Sequence, residues 1–177
     1  PSACYQDPFE YGNQSGKLSE ITKEKPNNSY SLAKYKLKNY TFSLLKKFNF
    51  NLVWGRIFYI YGKHNSRATL YNQILNSSKK NNKKIEVYGN LVRDYLNIDK
   101  ISKIIINLIF KKKNFGLVNI CSGKGTSLKN LIKKITKEEN ITAKINYKNY
   151  NKISENDEVV KFWGCNKKLK QCLKNNS

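Results

Sequence analysis

Apolar positions along the chain switch between two periods. From about Ser29 to Phe48, Leu32, Ala33, Leu37, Tyr40, Leu44, Leu45 and Phe48 fall near one broad face at helical spacing, which predicts a helix packed on that face. NLVWGRIFYIYG, at 51–62, is rich in β-branched and aromatic residues, has strand length and ends on a glycine turn. A weaker helical pattern covers Thr69 to Lys79, and KIEVYG at 84–89 reads as a short strand. Beyond RDYLNID, the positions Ile101, Ile104, Ile105, Leu108 and Ile109 predict a second clear helix, with Asp99 near its cap. GLVNICSG at 116–123 is a strand closing on Gly123. Thr126 or Ser127 then caps a helix with Leu128, Leu131, Ile132 and Ile135 along one side. ITAKINY at 141–147 predicts a further strand, and the tail from Asn166 a last short helix. The first 28 residues read as a strand end followed by a long polar loop. Strands alternating with helices of this length predict an α/β layered fold with a largely parallel sheet.

Composition sharpens this picture in three places. At 177 residues and 39% hydrophobic content the chain has enough length and apolar mass for one core of ordinary size. The longest apolar run, Ile104 to Phe110, is interrupted by Asn107 and is far too short to span a bilayer, so no membrane partner is expected. The sequence contains no methionine and opens on Pro1, which leads us to expect a piece of a longer protein.

The formal net charge of +22 is the second. Such a balance is the usual electrostatic footprint of a nucleic-acid or anionic-surface binder. Here it is almost all lysine, the arginines being Arg56, Arg67 and Arg93, and it travels with abundant Asn, Ile, Tyr and Phe. Arginine, the residue suited to bidentate phosphate and base contacts, is scarce. The lysines are also spread through nearly every segment, whereas a binding face would cluster them. Compositional drift is therefore the preferred reading, with no nucleic-acid partner expected. A non-catalytic basic nucleic-acid-binding or interaction module, or an inactive truncated product, stays open as the alternative.

Cysteine usage is the third. Cys4, Cys121, Cys165 and Cys172 show no paired spacing, and the lone His64 has no partner at zinc-site spacing. Free thiols in a reducing cytoplasm, and no metal, are the expectation.

One short stretch carries candidate chemistry. In NNSYSLAKYKLKNY, Tyr30 and Lys34 stand at i and i+4 of the first predicted helix, one above the other on a single face. A free phenol, with a reference pKa of about 10, stays protonated at neutral pH and so cannot act as a base, and a neighbouring ammonium lowers that value. On a chain so rich in tyrosine and lysine the spacing alone is weak evidence. SGKGTS lacks the spacing of a phosphate loop and reads as a glycine turn feeding a helix cap.

The order of motifs says more. FEYGNQSGKLSE and KPNNS precede YSLAK; RIFYIYG, RDYLNIDKIS and VNICSGKGTSLKNLI follow. From about Ser2 to Ile135 this order resembles the extended short-chain dehydrogenase/reductase family, in its NAD-dependent epimerase/dehydratase branch. DEVVKFWGCNKKLKQCL is similar to that family's closing strand and helix. The resemblance implies a partial Rossmann-like doubly wound parallel sheet with a smaller C-terminal substrate-binding region. Residues 1–63 would be the C-terminal part of the NAD-binding domain. Residues 64–177 would be mainly substrate-binding, interleaved with late Rossmann elements at about 92–120.

It also implies roles. Tyr30 would be the catalytic acid/base acting on a sugar hydroxyl, and Lys34 would hold the nicotinamide ribose and keep the tyrosine's pKa low. The third catalytic hydroxyl would be Ser2, given an insertion within CYQDP; the ungapped position is Asp7. Phe58 lies in the segment whose backbone borders the nicotinamide. Tyr59 stands where the family often has an asparagine reaching the nucleotide sugar. Arg56 is either a ligand or a strand residue satisfied by a nearby carboxylate. Arg93 would approach the diphosphate of a nucleotide-sugar substrate, with Asp94 supporting the fold. The implied cofactor is NAD (or NADP), yet the glycine-rich turn that seats its pyrophosphate is nowhere in this sequence. A fragment inactive on its own is expected. In the ungapped register Pro8 and Phe9 occupy the positions of the dehydratases' Asp-Glu pair, which favours an epimerase or a keto-sugar reductase. A homodimer is the assembly that the resemblance admits.

Overall fold

The computed structural model describes residues 11–48, 50–63, 69–79, 85–151 and 159–174. In chain order its elements are β1 (Gly16–Leu18), α1 (Ser29–Phe48), β2 (Val53–Ile57), β3 (Tyr59–Tyr61), α2 (Leu70–Lys79), β4 (Ile85–Tyr88), β5 (Val92–Arg93) and β6 (Tyr95–Asn97). Then come α3 (Ile98–Phe110), β7 (Gly116–Ile120), β8 (Thr126–Ser127), α4 (Leu128–Glu138), β9 (Ile145–Lys148), β10 (Phe162–Gly164) and α5 (Lys167–Lys174).

Among the described residues the strands pair two by two. β2 lies parallel to β7, from Val53 opposite Gly116 to Ile57 opposite Ile120. β1 with β10, β3 with β6 and β4 with β9 are parallel as well, and only β5 with β8 is antiparallel. Parallel pairs need crossovers, and α3 occupies the connection between β6 and β7.

Local chemistry explains the helix starts. Asn97 caps α3, its side chain accepting from the Asp99 N–H, so the cap is Asn97 and Asp99 sits in the first turn, where a carboxylate favours the helix dipole. Ser127, one of the two predicted caps, accepts from the Asn130 N–H at the start of α4. At α1, Asn28 Oδ1 accepts from the Ser31 N–H at 2.8 Å, while Ser31 Oγ accepts from the Asn28 N–H at 3.1 Å. That reciprocal pair is a capping box with serine in the place usually taken by Glu or Gln.

Packing follows the predicted stripes on the later helices. Leu131, Ile132 and Ile135 of α4 meet Tyr71 and Ile74 of α2. Leu108 of α3 packs with Val118 of β7 and with Leu169 and Cys172 of α5. Leu96, Ile101 and Ile120 form a further cluster. Another gathers Tyr11, Leu18, Phe58, Tyr59, Cys121, Val159 and Phe162 around the ends of β2 and β10.

Three expectations need correction. The apolar face predicted for α1 is not its buried face: Leu32, Leu37, Tyr40 and Phe48 are exposed, and the buried residues are Ser31 and Lys38. Polar partners, described below, draw those two inward. The long polar loop predicted before residue 28 also contains β1, too short and too polar to show a period. In α3, Ile109 points outward. No helix among the described residues is long and apolar enough to cross a membrane.

Candidate active site

The capping box places Tyr30 in the first turn of α1. Its ring is 50% exposed, and the Lys34 ammonium stands 5.5 Å from the ring centroid. A helix turn separates the two residues, so the rigid backbone itself holds phenol and ammonium together. The result is a half-exposed tyrosine with a cation near its ring. Ser2, with Asp7, Pro8 and Phe9, lies outside the described residues.

Below the pair sits a charged cluster that the sequence patterns did not show. Glu24, in the segment between β1 and α1, is ion-paired with Lys38 of α1 and with Arg56 of β2. Both cations are buried, at 7% and 5% exposure. The Lys38 ammonium also lies 4.9 Å from the centroid of Tyr35, and the Arg56 guanidinium 4.5 Å from that of Tyr11. Arg56 thus has the nearby carboxylate that one of its two expected roles calls for. The available signal was scarcity: with 12 acidic residues against 34 basic ones, each carboxylate is contested.

Next to it, the Tyr11 hydroxyl donates to the Ser19 carbonyl at 2.6 Å, with Asn119 Oδ1 at 3.0 Å. Burial pushes that phenol's pKa up. Glu20 accepts from the Asn119 N–H at 2.9 Å, which ties the segment leading to α1 onto β7.

A second group forms where β3, β5 and β10 meet. Arg93 is 1% exposed. Its Nη1 donates to the carbonyls of Val92 and Val160 at 2.9 and 3.1 Å, and its guanidinium carbon lies 4.4 Å from the Phe162 centroid. Arg93 Nε donates to the Tyr59 hydroxyl at 3.4 Å, so the two residues read as substrate ligands do meet. Tyr59 is itself buried, edge-on to Tyr95. Phe58 is wholly buried and its N–H donates to the Ile120 carbonyl at 3.2 Å. Any ligand contact from Phe58 would therefore come from its backbone carbonyl.

Asp94 organises the surrounding turns. Fully buried, it accepts from the N–H groups of Ser122 at 2.7 Å, Gly123 at 2.9 Å and Gly164 at 3.3 Å. Burial raises its carboxyl above the ordinary range, and those hydrogen bonds oppose the rise. Gly164 is required for this approach: a Cβ there would meet Cys121 Sγ at 2.5 Å. Burial also pushes the Cys121 thiol well up, which makes it a packing residue and a poor nucleophile. Cys121, Cys165 and Cys172 are free, and no group of three or more His, Cys, Asp or Glu able to hold a metal occurs among the described residues.

Parallel strand pairs joined through helices, with a tyrosine–lysine helix alongside, define a Rossmann-like α/β protein. A model of the NAD dependent epimerase/dehydratase family matches residues 8–121, and the chain belongs to that family. It is 28% identical over 138 residues to the dTDP-6-deoxy-L-talose 4-dehydrogenase (NAD(+)) of Aggregatibacter actinomycetemcomitans, a match covering 75% of this chain and 49% of that protein. Among solved structures, UDP-glucuronic acid 4-epimerase from Bacillus cereus in complex with NAD superposes with a TM-score of 0.72 at 20% identity, covering 95% of this chain and 51% of the other. The UDP-N-acetylglucosamine 4-epimerase of Methanobrevibacter ruminantium, in complex with UDP-N-acetylmuramic acid, gives 0.77 at 19% identity, over 96% and 55% of the two chains. The chain thus spans about half the length of the relatives it matches.

Proposed function

We propose that this chain supplies the acid/base and substrate-binding part of an NAD(P)-dependent nucleotide-sugar epimerase or keto-sugar reductase. The observation that carries the reading is the half-exposed Tyr30 with the Lys34 ammonium 5.5 Å from its ring, on a helix of a family member. Tyr30 exchanges a proton with a hydroxyl of the sugar. Lys34, with three N–H donors and no acceptor, suits the vicinal hydroxyls of a nicotinamide ribose. The chemistry that NAD(P) would supply when bound is hydride transfer to or from the sugar carbon. The residues present fit the nicotinamide end of that cofactor only, since no glycine-rich pyrophosphate turn occurs in the sequence.

Residues 1–63 are assigned to the end of the nucleotide-binding domain and 64–177 mainly to substrate binding, with about 92–120 returning to the first. The match to about half of each relative supports a working enzyme in a longer polypeptide. Arg93 is assigned to the substrate diphosphate. In this role it exchanges its bond to the Val160 carbonyl for a phosphate oxygen, a stronger charge-assisted contact. Tyr59 keeps the guanidinium in place. Ser2 is assigned as the hydroxyl partner of Tyr30, and the enzyme as a cytoplasmic homodimer.

The test is Tyr30→Phe in the complete polypeptide that contains this chain. Turnover of nucleotide-sugars with NAD should fall by about 10²–10⁴-fold, the usual share of a positioned acid/base, with substrate binding retained. Turnover equal to the parent's would remove Tyr30 from the chemistry.

A further inference from the structure

Residues 30, 34 and 38 form one i, i+4 row on α1, so the stripe that carries Tyr30 and Lys34 ends, one turn on, in the buried Lys38. What sets the rotation of this helix about its own axis is an open question once several of its apolar residues are seen to face outward. Leu32, Leu37 and Tyr40 are exposed, while inward stand Ser31 and Lys38. Ser31 is held by the cap at the first turn. Lys38 is held by Glu24, which holds Arg56 of β2 with the same carboxylate oxygen.

We propose that Glu24 is a positioning residue for the site: shared between Lys38 and Arg56, its carboxylate locks α1 to β2 and aims the Tyr30–Lys34 stripe. The assignment rests on the function proposed above. A carboxylate joining buried cations of two elements is a directional clamp, because its loss removes a charge that draws Lys38 of α1 toward Arg56 of β2, and Lys38 can then shift by turning the helix. The leverage is large. With a tyrosine hydroxyl some 9 Å from the helix axis, a rotation of about 10° moves it by about 1.5 Å. Misplacement of about 1 Å can cost on the order of 10²-fold in rate.

The experiment compares the parent polypeptide with Glu24→Gln, Glu24→Asp and the charge swap Glu24→Lys with Lys38→Glu. Three readouts are taken: steady-state kinetics on the folded fraction, thermal melting, and amide hydrogen exchange across residues 31–38. Glu24→Gln should lower kcat by about 10–100-fold, leave the nucleotide-sugar KM within about twofold, and speed exchange in α1. In the swap, the carboxylate moved onto α1 can pair both with the ammonium that replaces Glu24 and with Arg56, and should restore most of kcat and the protection. Glu24→Asp keeps the charge on a shorter arm and should lower kcat without lowering the melting temperature, so the proposal stays testable even where Glu24→Gln does not fold. Parental kcat in Glu24→Gln or Glu24→Asp overturns the proposal. So does activity that falls only in step with the folded fraction, or a swap that restores folding but not kcat. A parent polypeptide without turnover refutes the proposed function instead, and the exchange data alone then decide whether Glu24 clamps α1.

Discussion

Helix α4 spans 11 residues and buries Leu131, Ile132 and Ile135. Helix α1 spans 20 residues and buries Ser31 and Lys38. The shorter helix is held by area removed from water, a force without direction that tolerates small shifts. The longer one fully buries only polar side chains, held by a reciprocal cap and an ion pair, contacts that depend on direction as well as distance. On the function proposed above, the helix whose side chains must be aimed is the one tied down by directional contacts. The helix that needs only to fill space is tied down by packing.

Breaking the packed side should give the largest effect on stability. Ile132→Ala, at a position 1% exposed, should cost about 2–5 kcal/mol in urea unfolding. The turn feeding α4 comes next. Asp94→Asn sets an amide N–H₂ against backbone N–H groups and should cost about 1.5–3 kcal/mol near neutral pH. Its pH dependence has a definite sign. Burial raises the folded carboxyl above its ordinary 3.8, so the native state binds the extra proton. That contribution is complete below 3.8 and is lost as pH rises through the folded value, so the deficit of Asp94→Asn against the parent should widen as pH is lowered from neutral toward 3.8. The smallest effect belongs to the outward face of α1: Leu37→Gln, at 49% exposure, should stay within about 0.5 kcal/mol of the parent by the same denaturation. A larger loss there would mean that α1 also depends on apolar packing, and the contrast between the two helices would narrow.

The same contrast explains what could be read from the sequence. Leu128, Leu131, Ile132 and Ile135 announced α4 and its buried side because burial there is hydrophobic, and period reports hydrophobic burial. The span of α1 was equally legible, from Ser29 to Phe48, but its orientation was not. Nothing in a periodic pattern tells that Lys38 turns inward, since that follows from Glu24 and Arg56, neighbours in space from other segments. Tyr30 and Lys34 were found because their relation is local to one helix turn. The meeting of Arg93 with Tyr59 and Phe162 was not visible, because it joins β3, β5 and β10 across most of the chain. β1 escaped notice for a simpler reason: three residues, GKL, cannot display an alternation.

The parallel pairing has a consequence for how the chain is made. Gly16 of β1 finds its partner, Phe162 of β10, only much later in the polypeptide. At a synthesis rate of about 5–20 residues per second, β1 waits on the order of ten seconds on the ribosome before that partner exists. Contacts so distant in sequence also form slowly. During that interval Tyr11 and Leu18, both destined for burial beside Phe162, have no complete core to enter. In cells the yield should therefore depend on how quickly β10 arrives to cover them.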